Sequence, residues 1–233
     1  MMGTSPLSSD PLAELRARHL VMPAARPKSL PLGLLPIDEL LPDAGLPRGA
    51  VVEICAPAGL GHATQLGLAA CASAQREARA RGDEHGTGAW CGWLDPSRTL
   101  FAPGVLATGV ELERLLVVRP PPEALARIAV RLGSSQLFSL LVVDRAGVPG
   151  ARPSEARARW SLTVRRLALA VENSECTVLL LSSTEQLRAE PLPVAMRIEL
   201  GRPSRERLSL RIAKERYGRI SREVGLSCAA LQR

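Results

Sequence analysis

Short apolar runs alternate with longer amphipathic stretches along most of this chain, and that alternation predicts strands and helices in turn. Ala50–Cys55 is a continuous, β-branched apolar run, the pattern of a strand buried on both faces. Further strands are predicted at Ala89–Leu94, Leu115–Arg119, Phe138–Val143 and Cys176–Leu181. Between them, Thr64–Arg81 is rich in Ala, Leu and Gln without proline and reads as a helix, as does Leu100–Thr108. Pro122–Leu132 is a helix opened by prolines, which a first turn tolerates. In Ser154–Val171, the residues Trp160, Val164, Leu167 and Val171 recur at helical spacing. Two closing strands, Ala195–Leu200 and Leu208–Lys214, flank a charged turn. This order predicts an α/β fold with a mostly parallel central sheet, flanking helices and an antiparallel C-terminal end. Ahead of the first strand, Leu32–Gly49 is dense in Leu, Pro and Gly, predicting a short helix (Ile37–Leu41) and a tight turn. Met1–Leu30 reads as an arm with one short helical piece, Pro11–Leu20, carrying Leu12, Leu15 and Leu20 on one side.

Composition narrows the class. A chain of 233 residues is long enough to bury a sizeable core in one domain. The formal charge is +7, carried almost wholly by arginine, since Lys28 and Lys214 are the only lysines; a GC-rich genome gives the same bias. The charge is uneven. From Gly201 to Arg233 there are nine basic and three acidic residues, a local net of +6, which favours an acidic or anionic partner for that segment. Five scattered cysteines (Cys55, Cys71, Cys91, Cys176, Cys228) lack paired-ligand spacing and read as small buried hydrophobes in a reducing cytoplasm. His19, His62 and His85 form no metal-ligand pattern, and no run reaches the roughly 18 apolar residues of a membrane span. With only six aromatics, most in predicted core elements, a base-stacking platform for single-stranded DNA is disfavoured.

The predicted first strand, a turn holding Pro57, Gly59 and Gly61, and the helix after it form the frame of G-x-x-x-x-G-K-[ST]. In that motif backbone N–H groups and a lysine hold phosphates, and a hydroxyl binds Mg²⁺. On this frame the first glycine is Ala56 and the second is Gly61. The lysine position is His62 and the hydroxyl position is Ala63, while Thr64 falls one residue late. A neutral His62 is shorter than lysine, and Ala63 offers Mg²⁺ no oxygen.

Several spaced segments together carry a family resemblance. They are Gly33-x-x-Pro36-x-Asp38-x-Leu40-Leu41, Gly45-Leu46-Pro47-Arg48-Gly49, Val52-Glu53-Ile54, Trp93-Leu94-Asp95-Pro96, Gly109-Val110-Glu111-Leu112-Glu113-Arg114-Leu115-Leu116, Leu140-Leu141-Val142-Val143-Asp144 and Lys214-Glu215-Arg216-Tyr217-Gly218. In order and spacing the chain resembles the RecA superfamily over about Leu32–Gly218. The short chain and altered loop look most like the ImuA type, also described as SulA-like. The resemblance divides the chain into an arm (1–31), a RecA-like core (32–218) and a basic tail (219–233).

The resemblance also implies roles. The glutamate that orients the attacking water in RecA proteins falls on Ser97, which cannot polarise water as a carboxylate does. Asp144 matches the acid that supports magnesium, although such an Asp more commonly caps a neighbouring backbone. The degenerate phosphate loop is therefore Ala56, Gly59, Gly61, His62, Ala63 and Thr64, with Asp144, and no catalytic residue, metal site or cofactor is expected. Weak nucleotide or anion binding at the helix N-terminus stays open. The DNA-binding loop after the fifth strand is shortened to Ser182–Val194, and Arg145–Trp160, with Arg152, Arg157 and Arg159, stands in the place of the other. ImuA-type proteins act in bacterial damage-induced mutagenesis with an inactive polymerase, ImuB, and an error-prone polymerase. The resemblance thus implies a cytoplasmic, non-catalytic adaptor with those partners, with RecA as a further one and non-specific DNA contact in play. The competing class is a divergent ATP- and DNA-binding ATPase that uses His62, Thr64 and Asp144. Arg211, Lys214, Arg216, Arg219 and Arg222 are the candidate partner or DNA contacts. Arg216, Arg219 and Arg222 follow at threes, which suits one side of a helical turn; a solvated basic tail is the alternative.

Overall fold

A computed structural model describes residues 29–81, 90–146, 153–189 and 191–228. The helical piece expected at Pro11–Leu20, most of the polar loop after Arg81 and residues 147–152 lie outside them, as do the side chains of Arg157 and Arg159. In chain order the elements are β1 (Ser29–Leu30), α1 (Leu35–Asp38), β2 (Leu46–Pro47), β3 (Ala50–Ala56), α2 (His62–Ala80), β4 (Cys91–Leu94), α3 (Ala102–Ala107), β5 (Leu115–Val118) and α4 (Leu125–Gly133). They continue with β6 (Leu140–Asp144), α5 (Pro153–Val171), β7 (Thr177–Ser183), α6 (Thr184–Ala189), β8 (Met196–Gly201), β9 (Arg207–Glu215) and β10 (Val224–Ser227).

Eight strands form one sheet in the order β10-β9-β8-β3-β7-β6-β4-β5. From β8 across to β5 every neighbour is parallel, whereas β9 and β10 close the other end antiparallel. The expected mostly parallel α/β sheet with an antiparallel C-terminal end is therefore what forms. β3 lies at the centre, its seven residues all buried between β7 and β8.

Both faces of the sheet are covered, which explains why the central strands read as continuous apolar runs. Val52, Ile54 and Ala56 pack with Leu66 and Ala70 of α2, together with Trp93, Val142 and Leu179. Val51 faces the other way, with Leu141, Val143, Val178 and Leu180 against Leu125 and Ala129 of α4 and Val164, Leu167 and Val171 of α5. The α2 layer sits close: a Cβ at Gly67 would meet Trp93 Cη2 at 3.0 Å. Ahead of β3, the small β1–β2 ribbon and α1 are pinned by buried Asp38, whose carboxylate accepts the Leu32 amide at 2.7 Å and the Gly33 amide at 2.9 Å. That bond gives the Gly33-to-Asp38 spacing its physical meaning.

Two expectations need correction. The short helix falls at Leu35–Asp38 rather than Ile37–Leu41, because Pro36 sets its first turn and Leu41 is already extended at φ −82° and ψ 140°. Arg216–Arg222 does not make a helical turn. The Gly218 amide donates to the Glu215 carbonyl at 3.0 Å, and Gly218 sits at φ +78°, a left-handed conformation that ends the turn and cannot seed a helix. Beyond it, Val224–Ser227 pairs with Leu210–Arg207 as an edge strand inside the stretch read as a tail.

Candidate functional site

The loop between β3 and α2 keeps the backbone of a phosphate cradle. Gly59 (φ +79°) and Gly61 (φ +69°) are both left-handed, and a Cβ added at either would meet nothing within 4 Å. Gly61 is the N-cap, so α2 starts at His62, two residues earlier than its composition suggests, and no side chain caps it. The first amides of a 19-residue helix thus face an open glycine turn, the geometry that attracts anions.

The side chains on this frame supply different chemistry. His62 is only 9% exposed, and its Nδ1 lies 2.9 Å from Gln65 Oε1. Its Nε2 is buried without a hydrogen-bond partner among the described residues, so the ring at the lysine position is buried rather than extended over the glycine turn. Ala63 is buried as well, and Thr64 is half-buried. Thr64 lines an apolar crevice with Leu68, Leu100, Phe101 and Val105, away from the magnesium position that Ala63 holds. The residues present do not fit a magnesium-bound nucleotide: neither an ammonium nor a correctly placed hydroxyl is there.

The two aspartates at strand ends are occupied with backbone. Asp95, fully buried after β4, accepts the Thr99 amide at 2.9 Å and the Leu100 amide at 3.1 Å, and lies 3.5 Å from Arg119 Nε. Ser97 is half-buried inside the turn that this carboxylate organises. Asp144 ends β6 and accepts the Ala146 amide at 3.0 Å, the capping use anticipated for it.

A buried charged cluster beneath α5 is one that sequence reasoning misses. Glu53, 1% exposed in the middle of β3, accepts Ser182 Oγ at 2.8 Å and Arg197 Nε at 2.8 Å, with Arg145 Nη1 at 3.6 Å. Arg145 donates to Ser182 at 3.0 Å, and its guanidinium lies 4.3 Å from the Trp160 ring centroid. Arg197 also donates to the Leu192 carbonyl at 3.1 Å. Burial lowers the pKa of neighbouring Lys214, as does Arg197, with Glu53 opposing. In the same surroundings burial, followed by Glu53, raises the Cys55 thiol far out of the ionising range. One carboxylate thus joins β3, β7, β8 and the residue that leaves β6. Its only mark in the sequence is a glutamate interrupting an apolar run.

The C-terminal cations differ in their surroundings, with Arg216 and Arg219 both flanking Tyr217. Arg211 pairs with Glu199 across the β8–β9 ladder. Lys214 is half-buried beside Arg197. Arg219 is held by both oxygens of Asp43, at 3.0 and 2.9 Å, and by Glu215 at 3.1 Å. Arg216 and Arg222 are exposed. No group of three or more His, Cys, Asp or Glu residues is arranged for a metal among the described residues, and no helix there is long and apolar enough to cross a membrane.

No family model matches the chain. Among known proteins it is similar to the RecA protein of Brucella anthropi, 29% identical over 172 residues that cover 69% of this chain and 45% of that protein. It is similar to the RecA protein of Bartonella quintana, 30% identical over 167 residues covering 66% and 45%, and to that of Sinorhizobium medicae, 30% identical over 162 residues covering 64% and 42%. The chain spans less than half the length of the curated relatives it matches. The sheet order, the glycine turn opening α2 and these similarities agree: the chain has a RecA-like core.

Proposed function

We propose that this chain is a non-catalytic RecA-like accessory protein of the ImuA type, acting in the bacterial cytoplasm in SOS-induced translesion mutagenesis. It works through contacts with an ImuB-type inactive polymerase and an error-prone polymerase, with RecA as a further partner. One observation carries this reading: the cradle between β3 and α2 is folded, but His62 and Ala63 stand where phosphate and magnesium need lysine and a hydroxyl. Ser97 in the Asp95 turn removes the water-orienting carboxylate as well. Losses in two separate places, the β3–α2 cradle and the turn after β4, oppose hydrolysis more strongly than either alone. The partner contacts lie in the basic C-terminal stretch that carries Arg211, Lys214, Arg216, Arg219 and Arg222.

A second reading, a divergent ATP- and DNA-binding ATPase, draws on the open glycine turn and the uncapped α2 N-terminus, which favour residual anion binding. Steady-state hydrolysis by the purified chain, with and without single-stranded DNA, separates the two. Turnover at the buffer background is expected, and His62→Lys with Ala63→Thr should not create activity because Ser97 remains. Turnover above background that Asp144→Ala abolishes would overturn the accessory reading.

A further inference from the structure

The two ends of the sheet present unlike edges. β10 shows Gly225 and Ser227 to solvent and keeps Val224 and Leu226 half-buried. β5 closes the other end, and no strand pairs with its outer side among the described residues. It exposes Leu116 at 40% and Val117 at 37%, and Leu112, at 38%, lies in the turn that leads into it. Beside Val117 is a cleft of about 230 Å³ lined by Leu100, Ala102 and Arg119. The four residues of β5 include no lysine or proline, the usual guards of a free edge.

The direction of the backbone groups along β5 is fixed by its inner partner. The Val118 carbonyl accepts the Asp95 amide at 2.9 Å and so faces β4. A residue's amide and carbonyl leave a strand on one side, and the side alternates along it. Those of Leu116 therefore also face β4, while those of Leu115 and Val117 face outward. A row of alternating amides and carbonyls is matched by another extended polypeptide. A nucleic-acid backbone offers phosphate acceptors and cannot reproduce it.

The segment Glu113–Arg119 is complementary to itself. In antiparallel pairing about a two-fold axis at Leu116, Leu115 of each copy stands opposite Val117 of the other, and their outward groups exchange hydrogen bonds. Leu116 meets its own counterpart as a close pair without hydrogen bonds between them. At each end the exposed Arg119 comes opposite the exposed Glu113 that precedes the other strand. Moving the axis to Val117 would set Leu115 against Arg119 and Glu113 against Pro121. Charge complementarity therefore favours the axis at Leu116 and a second copy as the occupant.

We propose that two copies of this chain pair through β5, antiparallel about Leu116, and join their sheets into one. The pairing is independent of the accessory reading, since neither the β3–α2 loop nor the C-terminal arginines take part in it.

The test uses the full purified chain. Sedimentation velocity between about 1 and about 200 μM should show a monomer–dimer equilibrium. Leu116→Lys sets two ammonium groups opposite each other at the axis and should raise the dimer Kd by about tenfold or more. Glu113→Arg should weaken the dimer, and adding Arg119→Glu should restore it by exchanging the charges. Leu116→Cys should give a disulfide-linked dimer on mild oxidation, because a pair of this kind holds its Cα atoms about 4.5 Å apart, within disulfide reach. The wild type, with its own five cysteines, should give none. Leu116 and Glu113 are exposed, so unchanged thermal melting is the expected control; if Leu116→Lys fails it, the cross-link and the charge exchange decide the matter. A wild type that stays monomeric at the highest concentration would overturn the pairing. So would a dimer that survives Leu116→Lys, or a Leu116→Cys chain that does not cross-link.

Discussion

Glu53 accepts hydrogen bonds from one hydroxyl and one arginine at the centre of the sheet, with a second arginine 3.6 Å away. Breaking a buried pair from one side leaves an uncompensated charge and costs about 3–5 kcal/mol. Glu53→Gln keeps the volume but strands Arg197 and Arg145, so urea unfolding should show a loss of about that size. The same change should lower the Lys214 pKa further, since Glu53 is what opposes its fall. A loss below about 1 kcal/mol, the scale of a surface pair, would show that water reaches the cluster. At this scale the sequence is legible in the strand, glycine turn and helix frame: His62 and Ala63 open α2 directly after Gly61, and Ser97 lies in the turn after β4. It is silent on the cluster because Ser182 and Arg197 lie 129 and 144 residues from Glu53 in the chain. Periodicity reports only the neighbours a residue has along its own element.

Among the elements, apolar period finds every strand from β3 to β9 and misplaces their ends by one or two residues, as at β6, where Phe138 and Ser139 precede the strand. Irregular segments are less legible because side-chain-to-backbone bonds decide them. The turn after β9 is the clearest example. Spacing arginines by three suggests helix, yet the Glu215 carboxylate accepts the Tyr217 amide at 2.7 Å and the Arg219 amide at 3.2 Å and fixes a tight turn. Burial alone would push the Glu215 pKa up, but the Arg219 guanidinium and the two amides outweigh it and the net shift is downward. A carboxyl with a lowered folded pKa stabilises above its unfolded value of about 4.3, and the effect disappears as pH falls through the folded value. Amide exchange at Tyr217 and Arg219, corrected for its intrinsic rate, should therefore accelerate below about pH 4 while core strands stay protected. Glu215→Gln should remove that dependence. Equal protection at neutral and acid pH would mean that the backbone bond from Gly218 to the Glu215 carbonyl, and neither carboxylate, holds the turn.

For the whole molecule, the sequence indicates the fold class and leaves the strand order to be seen. Alternating strands and helices require a parallel sheet, but not that β3 should be its central member with β7 and β8 on either side. The basic C-terminus likewise shows its charge without revealing that β10 continues the sheet. The central place of β3 has a consequence for how the chain reaches this state. β3 leaves the ribosome early, while both of its partners, β7 and β8, are made only after β4, β5 and β6. Closing a loop of 129 residues costs about 4 kcal/mol of chain entropy before any pairing repays it. The nascent chain must therefore hold an unpaired β-branched strand until β7 has been synthesised, a state open to aggregation and to chaperone capture. A chain ending at Ala189 retains β7 but lacks β8 to β10, so it should show no cooperative unfolding transition. Cooperative unfolding of that shortened chain would mean that β3–β7 pairing suffices and that synthesis of the last strands does not gate folding.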